Sequence, residues 1–278
     1  MANYHTKLRS YGVPEVMCNA LKRKSPADQK SAKGVKKPRK AEVNYLPPYP
    51  AGEDEESQEQ ERIKLLTEVK KKDNNKLIKE TMSKTFAHRR NEIVNLSPSI
   101  EVIKARWPAL FEASHIEDEF QRITRVHLES KFMSKLDEYT PKLLNLFQSK
   151  GGTMGLRLQA ILLKAPSNPS INVSRDVVIR CLIVYLGEST DQILKEYDDA
   201  DEDSVSQDLA DQKMKIFKIK TSEGADKVGI VLESVTVLIG LTNFPRACSM
   251  LVGLTYAVNL AYPKELRYTF EAFQKLFL

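Results

Sequence analysis

Apolar residues recur at helical spacing along most of the chain, and this pattern predicts a mainly helical protein. After an acidic start near Glu55, a thin apolar stripe over 63–69 indicates one helix. A second apolar stripe runs from Leu77 to Ile93 at near 3.6-residue spacing and indicates another. The two stripes together predict a helical hairpin over residues 55–96.

Capping residues and prolines predict where the later helices begin. The predicted starts are Ser97-Pro98, Ser114 with Glu117 as a capping box, Thr140-Pro141, Ser174, and Ser189 or Thr190, the last for a short helix that reaches Tyr197. Lys150-Gly151-Gly152 is predicted to end a helix and turn into the next one, since glycine adopts the left-handed conformation without a steric penalty.

The period of the pattern changes after an acidic stretch at 198–211. From Lys213 to Lys220 charged and apolar residues mostly alternate, which indicates a half-buried strand. Apolar runs at 228–232 and 235–239 indicate a second and a third strand. The predicted fold class is therefore mainly α: a multi-helical domain with a small antiparallel β-hairpin or three-stranded element near 213–239.

Positive charge is concentrated in the first fifty residues, which hold 11 Lys and Arg against 3 Asp and Glu. The remaining chain holds 32 basic and 34 acidic residues and is almost neutral. Because the basic segment is poor in aliphatic residues, burial cannot offset its ordering entropy. We therefore predict a disordered basic tail with a Pro-rich spacer (1–54), the helical hairpin (55–96) and a helical domain with the small β element (97–278).

The tail carries two basic groups in a bipartite arrangement typical of nuclear-import signals. Twelve residues separate the groups, whose cations are Lys22 and Arg23, then Lys36, Lys37, Arg39 and Lys40. The pattern predicts an import carrier as a partner and a nuclear location, with a cytoplasmic location and a solvated linker as the alternatives. The same cations can also bind nucleic-acid phosphates weakly and without sequence preference.

Candidate chemistry is sparse. Cys18, Cys181 and Cys248 form no CxxC pair, which disfavours a metal site. His115, His127 and Cys181 form no recognisable nucleophile set. We therefore expect a protein that is not an enzyme and that needs neither cofactor nor metal.

Neither a membrane span nor a secretory leader is predicted. The most apolar stretch, 228–260, is interrupted by Glu233, Pro245 and Arg246, and its uncharged pieces are too short to cross a bilayer as a helix. The first residues carry charges without an apolar core, unlike a signal peptide. We expect an intracellular protein without a membrane partner.

Trp107 and Phe111 flank a proline between two predicted helices. Tryptophan and aromatic residues dominate binding hot spots, so the two rings are candidate interaction anchors. The alternative, which we favour, is that Trp107 packs a helix junction into the core.

Four motifs occur in a fixed order along the chain: Arg106-Trp107-Pro108-Ala109-Leu110-Phe111, Lys150-Gly151-Gly152-Thr153-Met154-Gly155, Val228-Gly229-Ile230-Val231-Leu232-Glu233 and Tyr256-Ala257-Val258-Asn259-Leu260-Ala261-Tyr262-Pro263. Together they resemble the C-terminal region of sterile alpha motif domain-containing protein 3-like proteins, including uncharacterised fish-type relatives. The resemblance implies a homologous helical region and supplies no catalytic residue or cofactor. We expect the chain to begin downstream of the sterile alpha motif.

Two functional hypotheses are carried forward, and a third class, a hydrolase or transferase, stays open because it would need convergent polar side chains in a cleft. The first is a non-enzymatic protein-interaction or scaffold module in the nucleus, with an unknown protein partner. The second is a nucleic-acid- or chromatin-associated factor that binds phosphates through the basic tail. A basic stripe on the folded body would favour the second hypothesis.

Overall fold

The computed structural model describes residues 44–222 and 224–278, and helices dominate this part of the chain. Its α-helices are α1 (Glu55–Glu68), α2 (Asn75–Lys84), α3 (Phe86–Asn91), α4 (Ile100–Arg106), α5 (Ala113–Thr124), α6 (Leu128–Gln148), α7 (Gly152–Leu162), α8 (Ile171–Tyr185), α9 (Thr190–Ile193), α10 (Glu202–Asp208), α11 (Phe244–Ala257) and α12 (Arg267–Ala272). Short π-helical turns span Glu92–Leu96 and Phe273–Phe277, and short 3-10 turns span Pro108–Phe111 and Lys264–Leu266. The mainly helical fold class is confirmed. Residues 1–43 of the predicted tail lie outside the described residues.

The N-terminal hairpin begins where the acidic residues predicted it. Asp54 caps α1, since its side chain accepts a hydrogen bond from the Ser57 backbone and the Ser57 hydroxyl bonds back to Asp54. The second predicted helix is divided into α2, α3 and a π-helical turn. Thr85 separates α2 from α3, and its hydroxyl donates to the Thr81 carbonyl at 2.8 Å.

Three predicted helix starts were displaced by a few residues. Ser99, and not Ser97-Pro98, caps α4. Ser170, and not Ser174, caps α8 by accepting a bond from Val173. In each case the serine with an extended backbone just before the first helical turn satisfies the exposed N–H groups. Helix α5 begins at Ala113 without a side-chain cap, so the predicted capping box at Ser114 does not form.

The predicted helix start at Thr140-Pro141 was wrong, because both residues lie inside α6, a single helix of 21 residues. Proline inside a helix removes one backbone hydrogen bond and costs roughly 3 kcal/mol. The helix tolerates this loss because buried side chains anchor it on both sides of the proline, Leu136 before it and Phe147 after it.

The sheet contains the predicted antiparallel strands and one strand that the sequence did not reveal. Strands β2 (Met214–Lys220), β3 (Lys227–Leu232) and β4 (Val235–Leu241) form an antiparallel meander, whereas β1 (Leu194–Asp198) pairs in parallel with β2. The predicted helix up to Tyr197 is therefore only the four-residue α9. Strand β1 is an edge strand with mostly exposed polar side chains, so its sequence lacks an apolar alternation.

Helix α10 provides the crossover between the parallel strands β1 and β2, and it is built from the acidic stretch. Its Val205, together with Leu209, packs against Phe217 and Val231 on one face of the sheet. The other face carries side chains of the main core. Gly229 lies opposite the Phe217 ring, where an added Cβ would come within 2.3 Å of Cζ.

Helix α11 is the centre of the core, which explains why it is the most apolar stretch of the sequence. All its residues except Arg246 are buried. It packs closely against α5, and Gly253 allows this approach, because an added Cβ would lie 2.7 Å from Ile116 Cγ2 and 2.5 Å from Leu128 Cδ2. Among the described residues, no helix combines the length and the apolar character that crossing a bilayer requires.

A fully buried ion pair joins α3 to α5. Arg89 donates from Nε and Nη2 to the two carboxylate oxygens of Glu119, at 3.0 and 2.6 Å. Its Nη2 also donates to the Met82 carbonyl at 2.9 Å, and its guanidinium lies 5.1 Å from the Trp107 ring centroid. Burial disfavours the charged carboxylate, but the charge and hydrogen bonds of Arg89 hold the pKa of Glu119 below its ordinary value.

The neighbouring Arg90 joins α3 to the end of α11. Its Nη1 donates to the carbonyls of Tyr256 and Ala257, at 3.3 and 3.1 Å, where the helix dipole favours positive charge. Burial lowers the pKa of Arg90 to about 10, which still leaves the side chain charged at neutral pH.

Glutamates distant in sequence satisfy the N-termini of three helices. Glu233 accepts from the Ile100 amide of α4 at 2.8 Å. Glu188 accepts from two amides at the start of α12, at 2.7 and 2.9 Å. Glu117 accepts from the Glu129 amide of α6 at 2.8 Å, and burial raises the pKa of this carboxyl. These contacts fix the loops that precede the helices.

The buried ion pair of Arg89 and Glu119 should contribute measurably to the stability of the fold. Glu119→Gln leaves Arg89 buried without an opposing charge, so the free energy of unfolding should fall by about 3–5 kcal/mol in urea titrations at pH 7. Glu138→Gln, which removes a surface partner of Lys135, is the control and should leave the urea midpoint unchanged. Equal effects of the two substitutions would contradict a central role for the buried pair.

Candidate functional site

The main concentration of polar groups in the N-terminal helices lines a cleft between α1, α3 and α4. The cleft has a volume of about 420 Å³ and is lined by Glu55, Glu56, Glu59, Gln60, His88, Glu92 and Arg106. Helix α1 supplies the first four residues, α3 supplies His88, and α4 supplies Arg106. Glu92 begins the π-helical turn, one turn after His88 on the same side of the chain.

Glu59 is the most connected carboxylate of the cleft. It accepts from Arg62 at 2.6 and 2.8 Å, from His88 Nε2 at 3.0 Å and from Arg106 Nη2 at 3.0 Å. The hydrogen bonds from Arg62 are the largest of several causes that lower the pKa of Glu59 to about 2. The carboxylate therefore stays ionised under all ordinary conditions.

Glu92 is the second carboxylate, and its partners come from three elements. It accepts from Trp107 Nε1 at 2.7 Å and from Arg106, which contacts both of its oxygens. His88 Nε2 lies 3.5 Å from Oε1. The bond to Glu92 is the main cause that raises the pKa of Arg106. We name this network of Glu59, Arg62, His88, Glu92, Arg106 and Trp107 the polar clamp.

The polar clamp has the ligand types of a metal site but not its charge balance. Glu59, His88 and Glu92 offer ligand atoms within 4.8 Å of one another. Arg106, however, contacts both carboxylates, and Arg62 adds a second positive charge. A divalent cation would have to displace Arg106 and face the remaining guanidinium. The charges are already matched, so the arrangement serves to hold three helical elements together.

The same cleft contains only a few types of functional group among the described residues. Among the described residues that line it, the functional groups are carboxylates, one amide, one imidazole and one guanidinium, and none is a hydroxyl, thiol or amine nucleophile. Cys181 and Cys248 are elsewhere in the core, where burial raises the pKa of both thiols, that of Cys181 to about 12. Both are therefore unreactive thiols at neutral pH.

The structure places the two aromatic anchor candidates in the core. Trp107 is 1% exposed and Phe111 is 6% exposed. Trp107 packs its ring on Arg89 and donates its N–H to Glu92. In this fold neither ring is accessible to a partner, and both contribute to internal packing. The six tail cations, Lys22, Arg23, Lys36, Lys37, Arg39 and Lys40, lie outside the described residues.

Sequence reasoning did not find the polar clamp. The local signal was present, because Glu59 and Arg62 are three residues apart and His88 and Glu92 are four apart, the spacings that bring side chains together on a helix. The contacts across 44 to 47 residues, which join Arg106 to Arg62 and to Glu59, depend on the tertiary fold.

A second candidate site is an exposed apolar surface. Leu156, Leu163 and Ile171 are 69%, 78% and 57% exposed, and Val173 is also exposed. We name these four residues, on α7 and the start of α8, the α7–α8 surface. The sequence predicted helices here but did not show that their leucines would face solvent.

The lowered pKa of Glu59 should make the stability of the fold depend on pH. Because folding lowers this pKa from about 4.3 to about 2, the clamp stabilises the fold above roughly pH 5, and this contribution is lost as pH falls toward 2. Glu59→Gln should lower the urea midpoint at pH 7 and reduce its fall between pH 5 and 3. Glu101→Gln, at an exposed position of α4, is the charge-matched control. If the urea midpoint of Glu59→Gln falls between pH 5 and 3 as steeply as that of the wild type, Glu59 is not the source of this pH-dependent stability.

Comparison with known proteins gives one match. Residues 58–112 match the family model of the sterile alpha motif domain-containing protein 3 helical domain. No curated protein and no solved structure matches the chain. The matched segment contains every residue of the polar clamp, from Glu59 to Trp107, so the clamp lies within the part of the chain that is similar to this helical domain. The match confirms the resemblance noted in the sequence over residues 58–112, which are similar to the helical domain of sterile alpha motif domain-containing protein 3.

Proposed function

We propose that the protein is a non-enzymatic protein-interaction or scaffold module that acts in the nucleus. The observation that carries the proposal is the α7–α8 surface, where large aliphatic side chains face solvent beside a well-packed core. Exposed apolar patches on soluble domains commonly mark sites where another protein binds.

The sequence of α7 supports a binding role. Most of its eleven residues are apolar or glycine, yet Leu158 is its one buried residue. A helix with this composition is normally covered by other elements. Burial of two exposed leucines in an interface contributes on the order of 3 kcal/mol, enough to decide whether a complex forms.

The polar clamp supports a role without catalysis. Arg62 is the main cause that lowers the pKa of Glu59 to about 2, which leaves this carboxylate a poor general acid or base at neutral pH. A rigid helical frame with paired internal charges is what a scaffold requires.

The basic tail supports import into the nucleus. Its bipartite cations suit an extended segment that lies along the acidic grooves of a carrier protein. Since the rest of the chain is nearly neutral, the carrier would bind the basic tail and leave the folded body free for its partner.

The excess positive charge of the tail also favours a second candidate function, contact with nucleic acid. Binding of this kind would rest on phosphates, would be weak, and would decrease steeply with salt. Contact with nucleic acid is compatible with import, because the same cations would bind the import carrier at one time and nucleic acid at another.

The import proposal is tested with the full chain fused to a large fluorescent cargo that enters the nucleus slowly by diffusion. The triple substitution Lys36→Ala, Lys37→Ala and Arg39→Ala should abolish nuclear accumulation. The matched control substitutes Lys70, Lys71 and Lys72, an exposed basic run after α1, and should accumulate like the wild type. Equal nuclear accumulation of both variants would contradict the import role of the tail.

A further inference from the structure

We infer that the α7–α8 surface binds an acidic amphipathic segment of a partner protein, with large apolar side chains flanked by Asp or Glu. This inference deepens the proposed function and rests on it. It specifies where the partner binds and which chemistry the partner brings.

The exposed leucines are arranged along one side of α7. Leu156 and Leu163 are seven residues apart, which is about two helical turns, so they lie on the same side of α7 and its end. They are among the most exposed large apolar side chains of the described residues. Two such side chains on one helix face match the spacing of a helix-in-groove contact.

A groove of about 660 Å³ begins at the end of α7 and extends along α8 to α9, β1 and β2. Its apolar wall is formed by Ile161, Ala165, Val173, Val177 and Val184. Its charged lining is balanced, with Lys164, Arg180 and Lys220 against Asp176, Asp191 and Glu196. Val173 belongs to both the groove and the exposed surface. A concave site accepts a projecting side chain from a polypeptide, whereas a flat lipid surface would leave the groove unfilled.

The chain around the exposed leucines is positively charged. From residue 139 to residue 175 the chain has no Asp or Glu, but it carries five cations, Lys142, Lys150, Arg157, Lys164 and Arg175. Arg175 pairs with Asp137, whereas none of the other four lies within ion-pairing distance of a described carboxylate. The unpaired positive charge therefore lies on α7 and the loop after it, where Arg157 and Lys164 follow the two exposed leucines in sequence. Such a segment is complementary to a partner that carries negative charge around its apolar residues.

Charge also argues against the other occupants. Two copies joined through this face would bring like charges together, which opposes association. The acidic stretch of a second copy is unsuitable as well, because its apolar residues Val205 and Leu209 are buried under the sheet. Nucleic acid would engage the cations but would leave the exposed leucines uncovered.

The test is a selection of random peptides displayed on phage, with the full chain as bait. Enriched peptides should carry net negative charge and at least two large apolar residues. The selected peptides should bind the double variant Leu156→Ser and Leu163→Ser about tenfold more weakly or worse. Both substitutions are at exposed positions, and Leu96→Ser, at a 73% exposed position outside this surface, is the matched control that should bind like the wild type.

A charge variant separates the two parts of the inference. Arg157→Glu with Lys164→Glu should weaken the same peptides, and the loss should diminish as salt is raised. Enriched peptides without an acidic bias would overturn the chemistry assigned to the partner. Peptides that bind the double leucine variant normally would overturn the surface but leave the proposed function intact, whereas a failure to enrich any peptide would overturn both.

The remaining occupants are distinguished by two measurements on the same proteins. Light scattering that shows a dimer in the wild type and a monomer in the double variant would identify a second copy. Binding to phosphatidylserine vesicles that the double variant loses would identify a lipid surface. Either result would overturn the inference of an acidic protein segment.

Discussion

The buried pair of Arg89 and Glu119 is the constraint on which the folded part depends. Both charges lie in the interior, where each is costly alone and tolerable only because the other is held at hydrogen-bond distance. The pair therefore fixes the six-residue α3 against α5, and Arg90 fixes the same helix to the end of the central helix α11. A short segment that is weakly helical by itself thus acquires one orientation.

The orientation of α3 has consequences for the polar clamp. His88 and Glu92 flank the two buried arginines in sequence, so fixing Arg89 also aims the π-helical turn toward α1 and Arg106. The clamp consequently adds a second set of contacts that fix α3, and its charged groups are paired with one another. Charged contacts therefore position the helices of residues 58–112, the segment that matches the family model, and the exposed leucines of α7 lie outside that segment.

Periodicity predicted most helices and the antiparallel meander, because these elements bury one face and leave the other in water. It failed where tertiary contacts decide. Strand β1 is a polar edge, Pro141 is held inside α6 by burial on both sides, and the caps from Glu188 and Glu233 come from distant segments. Periodicity also cannot show whether an apolar stripe is covered, so the exposure of Leu156 and Leu163 was not predictable. The tail cations were predicted from sequence alone, and their role stays a prediction.

The central claim is that the folded body recognises a protein partner, while any contact with nucleic acid belongs to the tail. The most direct test is binding of a labelled short DNA duplex at several salt concentrations, with the wild-type chain and with a variant in which all 11 Lys and Arg of residues 1–50 are alanine. We expect weak, strongly salt-dependent binding by the wild type and none by the variant. Persistent salt-dependent binding by the variant would contradict the claim and place a nucleic-acid interface on the folded body.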